Sequence, residues 1–164
     1  MADTAASLFL AHSTAKLDQM TGFLNSCLEK LSEEQIWERN GAHENAIGNL
    51  VLHLTGNMRQ WIMHGVGKAE DVRLRDEEFS TRSGMTPQQL QDHFAATVSE
   101  AKAVIAALPH ERLMERATPQ GRDVTVLDAI YQVVGHVQQH VGQIILLTKQ
   151  MTGRDLDLTM PRPR

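Results

Sequence analysis

Apolar residues recur at intervals of three and four along four separate stretches of this chain, and no stretch shows the alternation of a strand. That pattern commits the chain to helices that each bury one face. From about Thr4 to Leu31 the face consists of Leu17, Met20, Phe23, Leu24, Cys27, Leu28 and Leu31. From about Asn45 to Gly65 it consists of Ile47, Leu50, Val51, Leu54, Met58, Trp61 and Ile62, with Asn45 as the expected N-cap and the GVG of 65–67 as the stop. Thr86, Pro87 and Gln89 form a capping box with proline in the first turn. They open a third helix, expected to reach Leu108 ahead of Pro109, that buries Leu90, Phe94, Val98, Ala101, Ile105 and Leu108. The last helix starts at Thr125, where T-V-L-D is again a capping box, and runs to about Met151 before Gly153 releases it. At ~27 residues it should be about 40 Å long, the span of a small domain.

Four such helices without alternating strands predict an all-α four-helix bundle. The chain has 164 residues, enough for one domain over 1–164 and too few for two. The charged segment KAEDVRLRDEEFSTRSG, residues 68–84, reads as a surface excursion, and it makes the second connection long enough for a crossover. The tail GRDLDLTMPRPR, 153–164, is expected to lie extended. A net charge of −4 with scattered basic residues argues against nucleic-acid partners. No apolar run approaches the roughly 18 residues of a membrane span. The single cysteine and the lack of a secretory leader at the start point to a cytoplasmic protein. Cys27 lies on the apolar face of the first helix and is read as a packing residue.

The last helix carries one anomaly. In VVGHVQQHVGQII, residues 133–145, His136 and His140 stand four positions apart beside the apolar stripe Val126, Val133, Val137 and Ile144. Residues four apart share a helix face, so both rings can address one point. With eight histidines in the chain the spacing alone is a weak motif. The inward placement strengthens it, because burying an unpartnered polar ring costs about 1–3 kcal/mol. Either hydrogen bonds or a shared metal ion would satisfy the pair.

A catalytic ion needs a third protein ligand, and in a bundle it comes from a facing helix. His53 is the candidate, in the middle of the second helix on a polar stripe with Asn49, Asn57, Gln60 and His64. Asn49 and Asn57, one turn to either side, are the expected hydrogen-bonding neighbours of its ring. Three neutral imidazoles suit Zn²⁺ or Ni²⁺, with Fe²⁺ as a further choice. His64 lies eleven residues on, about 16 Å along the axis and too far to share the ion. His12, His43, His93 and His110 lack a partner and are expected at the surface. Val137 follows His136, so the helix has no metalloprotease-type glutamate, and no acidic residue lies within a turn of the pair.

The segments NAIGNLVLHLTGNMRQWI, VRLRDEEF and GHVQQHVGQIILLTKQMTGRDL resemble the DinB/YfiT-like superfamily of metalloenzymes, in particular a bacterial branch described only as a domain of unknown function. The resemblance covers most of the chain. It implies an up-down-down-up four-helix bundle, often a homodimer, with a divalent metal held by His53, His136 and His140. It assigns no role to Arg73, Arg75, Glu78 or Phe79; a loop folded near the pocket and a dimer contact both fit them.

The resemblance also implies chemistry. Some members use the metal to activate a low-molecular-weight thiol against an electrophile, others resemble hydrolases. The first expectation is a thiol-dependent S-transferase acting on a small molecule, with Asn57, Gln60 and Gln143 lining the thiol site. A metal-dependent hydrolase is the second; its weakness is the missing carboxylate beside the histidines, although a Glu or Asp from another helix or from the charged loop could fold in. A non-enzymatic dimeric bundle stapled by the metal is the third.

Overall fold

A computed structural model describes residues 4–158. Among them the long helices are α1 (Ala5–Leu28), α3 (Ile47–Met58, continued by a π-helical segment Arg59–Val66), α5 (Pro87–Ala106) and α6 (Val126–Thr152). Two short helices, α2 (Glu33–Trp37) and α4 (Arg75–Ser80), lie in the first and second connections. In the third, β1 (Arg116–Ala117) and β2 (Val124–Thr125) pair antiparallel, with Arg116 opposite Thr125. The fold is an all-α bundle, as the periodicity predicts.

Packing follows the apolar faces. Helix α1 lies against α5 and α6, and α3 lies against the same two, so α1 and α3 occupy opposite corners. Phe94, Leu17, Leu24, Leu54, Met58 and Ile130 are fully buried between them. Cys27 is fully buried too, and burial pushes its thiol pKa up, which fits packing rather than reactivity. No helix among the described residues is long and apolar enough to cross a membrane.

Helix ends match the capping signals. Thr86 and Thr125 each accept a hydrogen bond from the backbone N–H three residues on, in complete capping boxes, and Gly153 closes α6 with φ of 65°. Three features depart from the periodic reading or go beyond it. Helix α3 begins after Ala46, with no side-chain cap, rather than after Asn45. Its last turns widen to π geometry, where the Gly67 N–H reaches the Ile62 carbonyl at 2.8 Å and Lys68 takes φ of 64°. Helix α2, capped by Ser32, has no counterpart in the periodicity. Its Trp37 ring lies against the bare face of Gly48 and donates to the Met85 carbonyl at 3.0 Å. The tail leaves regular structure at Gly153, yet Leu156 is buried against the core. The rest of the expected extended tail, 159–164, is outside the described residues.

The charged connection is the largest departure. It does not simply skirt the surface: α4 docks on α3 and buries Glu78, while Val72, Leu74 and Arg75 stay exposed. Asn49 holds it there, its amide donating to the carbonyls of Glu78 and Thr81, both at 2.8 Å.

Candidate metal centre

Where α3 passes α6, three imidazoles meet edge to edge. His53 is buried on α3, and His136 and His140 are half-buried on successive turns of α6. His53 Nε2 is 3.2 Å from His136 Nε2, which is 3.0 Å from His140 Nε2. The rings stand at 76–87° to one another, so nitrogens rather than faces converge. Among the described residues these three form the one group of His, Cys, Asp or Glu side chains poised for a metal ion.

A second ring of contacts orients the first. His53 Nδ1 is 2.9 Å from Glu78 Oε2. Arg73 grips the same carboxylate with two donors, Nε to Oε1 at 2.7 Å and Nη2 to Oε2 at 2.8 Å. Arg73 Nη2 also lies 3.2 Å from His53 Nδ1. The Glu78 carboxylate, held ionised by Arg73, can only accept, so the proton on the shorter His53–Glu78 contact belongs on Nδ1, leaving the Nε2 lone pair facing His136. His140 Nδ1 likewise donates to Gln143 Oε1 at 2.7 Å, which leaves its Nε2 free as an acceptor. His136 Nδ1 is buried without a hydrogen-bond partner. Phe79 covers the His53 ring at 4.9 Å between centroids, and Arg75 lies over Phe79.

The local electrostatics favour neutral rings on α6. Burial, reinforced by His140, His53 and Arg73, lowers the pKa of His136 to about 4, and burial also lowers that of His140. Burial opposes ionisation of Glu78, but hydrogen bonds from Arg73 and His53 outweigh it and hold the carboxyl below its ordinary value.

The neighbours expected of His53 lie elsewhere. Asn49 binds the α4 backbone instead of the ring, and Asn57 is buried with its carbonyl oxygen unpartnered. Gln60 accepts from Arg73 Nη1 at 2.9 Å and donates to Asp71 at 2.8 Å. A cavity of about 480 Å³ lies between α3, α5 and the charged connection. Neither the three histidines nor Asn57, Gln60 or Gln143 line it; Arg73 and Glu78 do, with Leu52, Met63, Met85 and His93. His93 is therefore half-buried rather than at the surface, and burial lowers its pKa. His12, His43 and His110 are exposed as expected; His64 is half-buried, with Nδ1 on the Ala69 carbonyl.

Sequence reasoning left Arg73 and Glu78 without a role, with a loop folded near the pocket as one of two placements. A signal existed in Gly56, one turn beyond His53: an isolated glycine inside a helical pattern marks a close approach. A β-carbon there would overlap Glu78 Oε1.

Solved structures share this architecture. A conserved protein from Enterococcus faecalis superposes with a TM-score of 0.73 at 16% identity, covering 93% of this chain and all of its own. A DinB-like protein from Bacillus cereus gives 0.68 at 16% identity, with 95% of both chains covered. A point mutant of a mycothiol-dependent maleylpyruvate isomerase gives 0.65 at 14% identity; 82% of this chain matches 60% of that one. At such identities the likeness shows the DinB-like fold. No curated protein sequence matches the chain. The family described as "Protein of unknown function (DUF1572)" matches residues 4–164, and this chain, with its DinB/YfiT-like fold, belongs to it.

Proposed function

We propose that the chain is a metalloenzyme in which His53, His136 and His140 bind one divalent ion through Nε2, leaving a position for a reactant. The observation that carries this reading is the spacing of the three nitrogens. An ion with metal–nitrogen bonds of about 2.0–2.1 Å holds tetrahedral ligand nitrogens roughly 3.3 Å apart. The edges here are 3.2 and 3.0 Å, and two of the three rings have their other nitrogen engaged in a way that frees Nε2. The donor set suits Zn²⁺ or Ni²⁺, with Fe²⁺ as a further choice.

The reaction we assign is S-transfer from a low-molecular-weight thiol to a small electrophile. A bound divalent ion lowers the pKa of a coordinated thiol and so supplies a thiolate at neutral pH. The chain's residues hold the donor set rigid, with Phe79 against the His53 ring and Gln143 on His140. Of the three proposed thiol contacts, Asn57 offers an unpartnered side-chain carbonyl, Gln143 keeps only its amide nitrogen because Oε1 accepts from His140, and Gln60 is the weakest because Arg73 and Asp71 occupy both its ends. The fold shared with the mycothiol-dependent isomerase supports a thiol-handling role.

One contact weighs against the hydrolase alternative. Glu78, the carboxylate that folds in from the loop, sits on the Nδ1 side of His53 with both oxygens engaged. It is therefore badly placed to deprotonate water on the Nε2 side.

Cobalt substitution tests the reading. The cobalt-loaded chain should show tetrahedral absorption bands that shift when glutathione, bacillithiol or mycothiol is added. Bands indifferent to every thiol would rule out S-transfer and leave the hydrolase or the metal-stapled bundle.

A further inference from the structure

Glu78 and Arg73 lie outside the three imidazoles, and nothing in the three-histidine reading requires them. We propose that Glu78, gripped by Arg73, is the positioning residue of the metal centre, holding His53 in the tautomer and rotation that aim its Nε2 lone pair at the ion. The proposal rests on the three-histidine reading and adds a device to it.

The first observation is the burial of the pair. The side chains of Arg73 and Glu78 are 2% and 8% exposed. A buried ion pair is seldom more stabilising than apolar residues of the same size, so adhesion of the loop is a poor reason to bury one. The side-chain contacts of the pair converge on His53: Arg73 binds both carboxylate oxygens, its Nη1 donates to Gln60, its Nη2 also lies 3.2 Å from His53 Nδ1, and Glu78 Oε2, nearer at 2.9 Å, accepts from that Nδ1.

The second observation is that α3 is shaped to receive the carboxylate. Gly56 lies on the same helix face as His53, and only a residue without a β-carbon leaves room there for Glu78 Oε1. A glycine inside a helix costs up to about 1 kcal/mol relative to alanine, so α3 gives up helical stability to open this slot. Asn49, one turn before His53, fixes the backbone from which Glu78 projects. Three residues on one face of α3 thus each take a different part of α4.

The third is direction. In a rigid imidazole, anchoring Nδ1 fixes where Nε2 points, and Phe79 against the ring limits rotation. Carboxylates placed behind ligating histidines orient the ring and raise its basicity, and their loss lowers metal affinity about 10- to 100-fold.

The test is Co²⁺ titration of the full chain and of Glu78→Ala and Glu78→Gln, followed by the metal's absorption bands, with helicity checked by circular dichroism. Affinity should fall about 10- to 100-fold in Glu78→Ala and less in Glu78→Gln, which keeps an acceptor oxygen, with altered bands in both. Folded variants that bind Co²⁺ with parental affinity and unchanged bands would overturn the role of Glu78 while leaving the three-histidine reading intact. A parent chain that takes up no Co²⁺ would overturn that reading and this proposal together. If the variants do not fold, ¹⁵N NMR of the metal-free parent decides: a proton on His53 Nδ1 supports the proposal, and a proton on Nε2 overturns it.

Discussion

Three histidines were legible in the sequence for different reasons. The pair on α6 announces itself by four-residue spacing inside an apolar stripe, and His53 only by lying midway along a facing helix with polar neighbours. Their convergence is a tertiary fact that no local pattern encodes. Glu78 escaped because its segment is dense in charge, and a buried carboxylate there looks like its solvated neighbours Asp76 and Glu77. The α6 rings also set a pH dependence. The folded pKa of His136 is about 4, against 6.5 for an ordinary imidazole, and that of His140 is also lowered. Between those pH values the unfolded chain binds protons that the folded chain refuses, so the metal-free protein keeps this stability above about pH 6.5 and loses it as pH falls toward 4. Glu78, also lowered, adds its own loss only below its ordinary value of 4.5. Denaturant midpoints between pH 7 and 5 should therefore fall more steeply for the parent than for His136→Gln; parallel slopes would mean that His136 titrates normally.

At the scale of elements, helices with strong caps were read to within a few residues. Thr125 and Gly153 bracket α6 because each does local work: the hydroxyl accepts the Asp128 N–H at 3.0 Å, and the glycine takes φ of 65°. Replacing Thr125 with alanine should cost about 1 kcal/mol, and Gly153→Ala about 1–2 kcal/mol; urea denaturation measures both. What the periodicity hid was irregular. The π segment keeps Trp61, Ile62 and Met63 all buried, which a 3.6-residue period does not anticipate. Helices α2 and α4, of five and six residues, are too short to show a period. Gly56→Ala, helix-favouring by propensity, should instead destabilise the chain and loosen α4, because the new β-carbon meets Glu78 Oε1. Hydrogen exchange across 73–81 would report it, and unchanged protection there would contradict the slot.

For the whole molecule, the bundle brings α3 and α6 side by side at the height of the imidazoles, and the core holds that register. Phe94 is fully buried on α5, which packs against both α1 and α3. Its truncation to alanine should cost about 3–5 kcal/mol, a large part of the stability of an ordinary domain. The account turns on one ion shared by three rings, and X-ray absorption at the edge of the bound metal tests that most directly. It should find three imidazole nitrogens at about 2.0–2.1 Å and one exchangeable light ligand, with the imidazole signal lost in His136→Ala. A metal surrounded by oxygen alone, or full uptake by His136→Ala with the same spectrum, would contradict it.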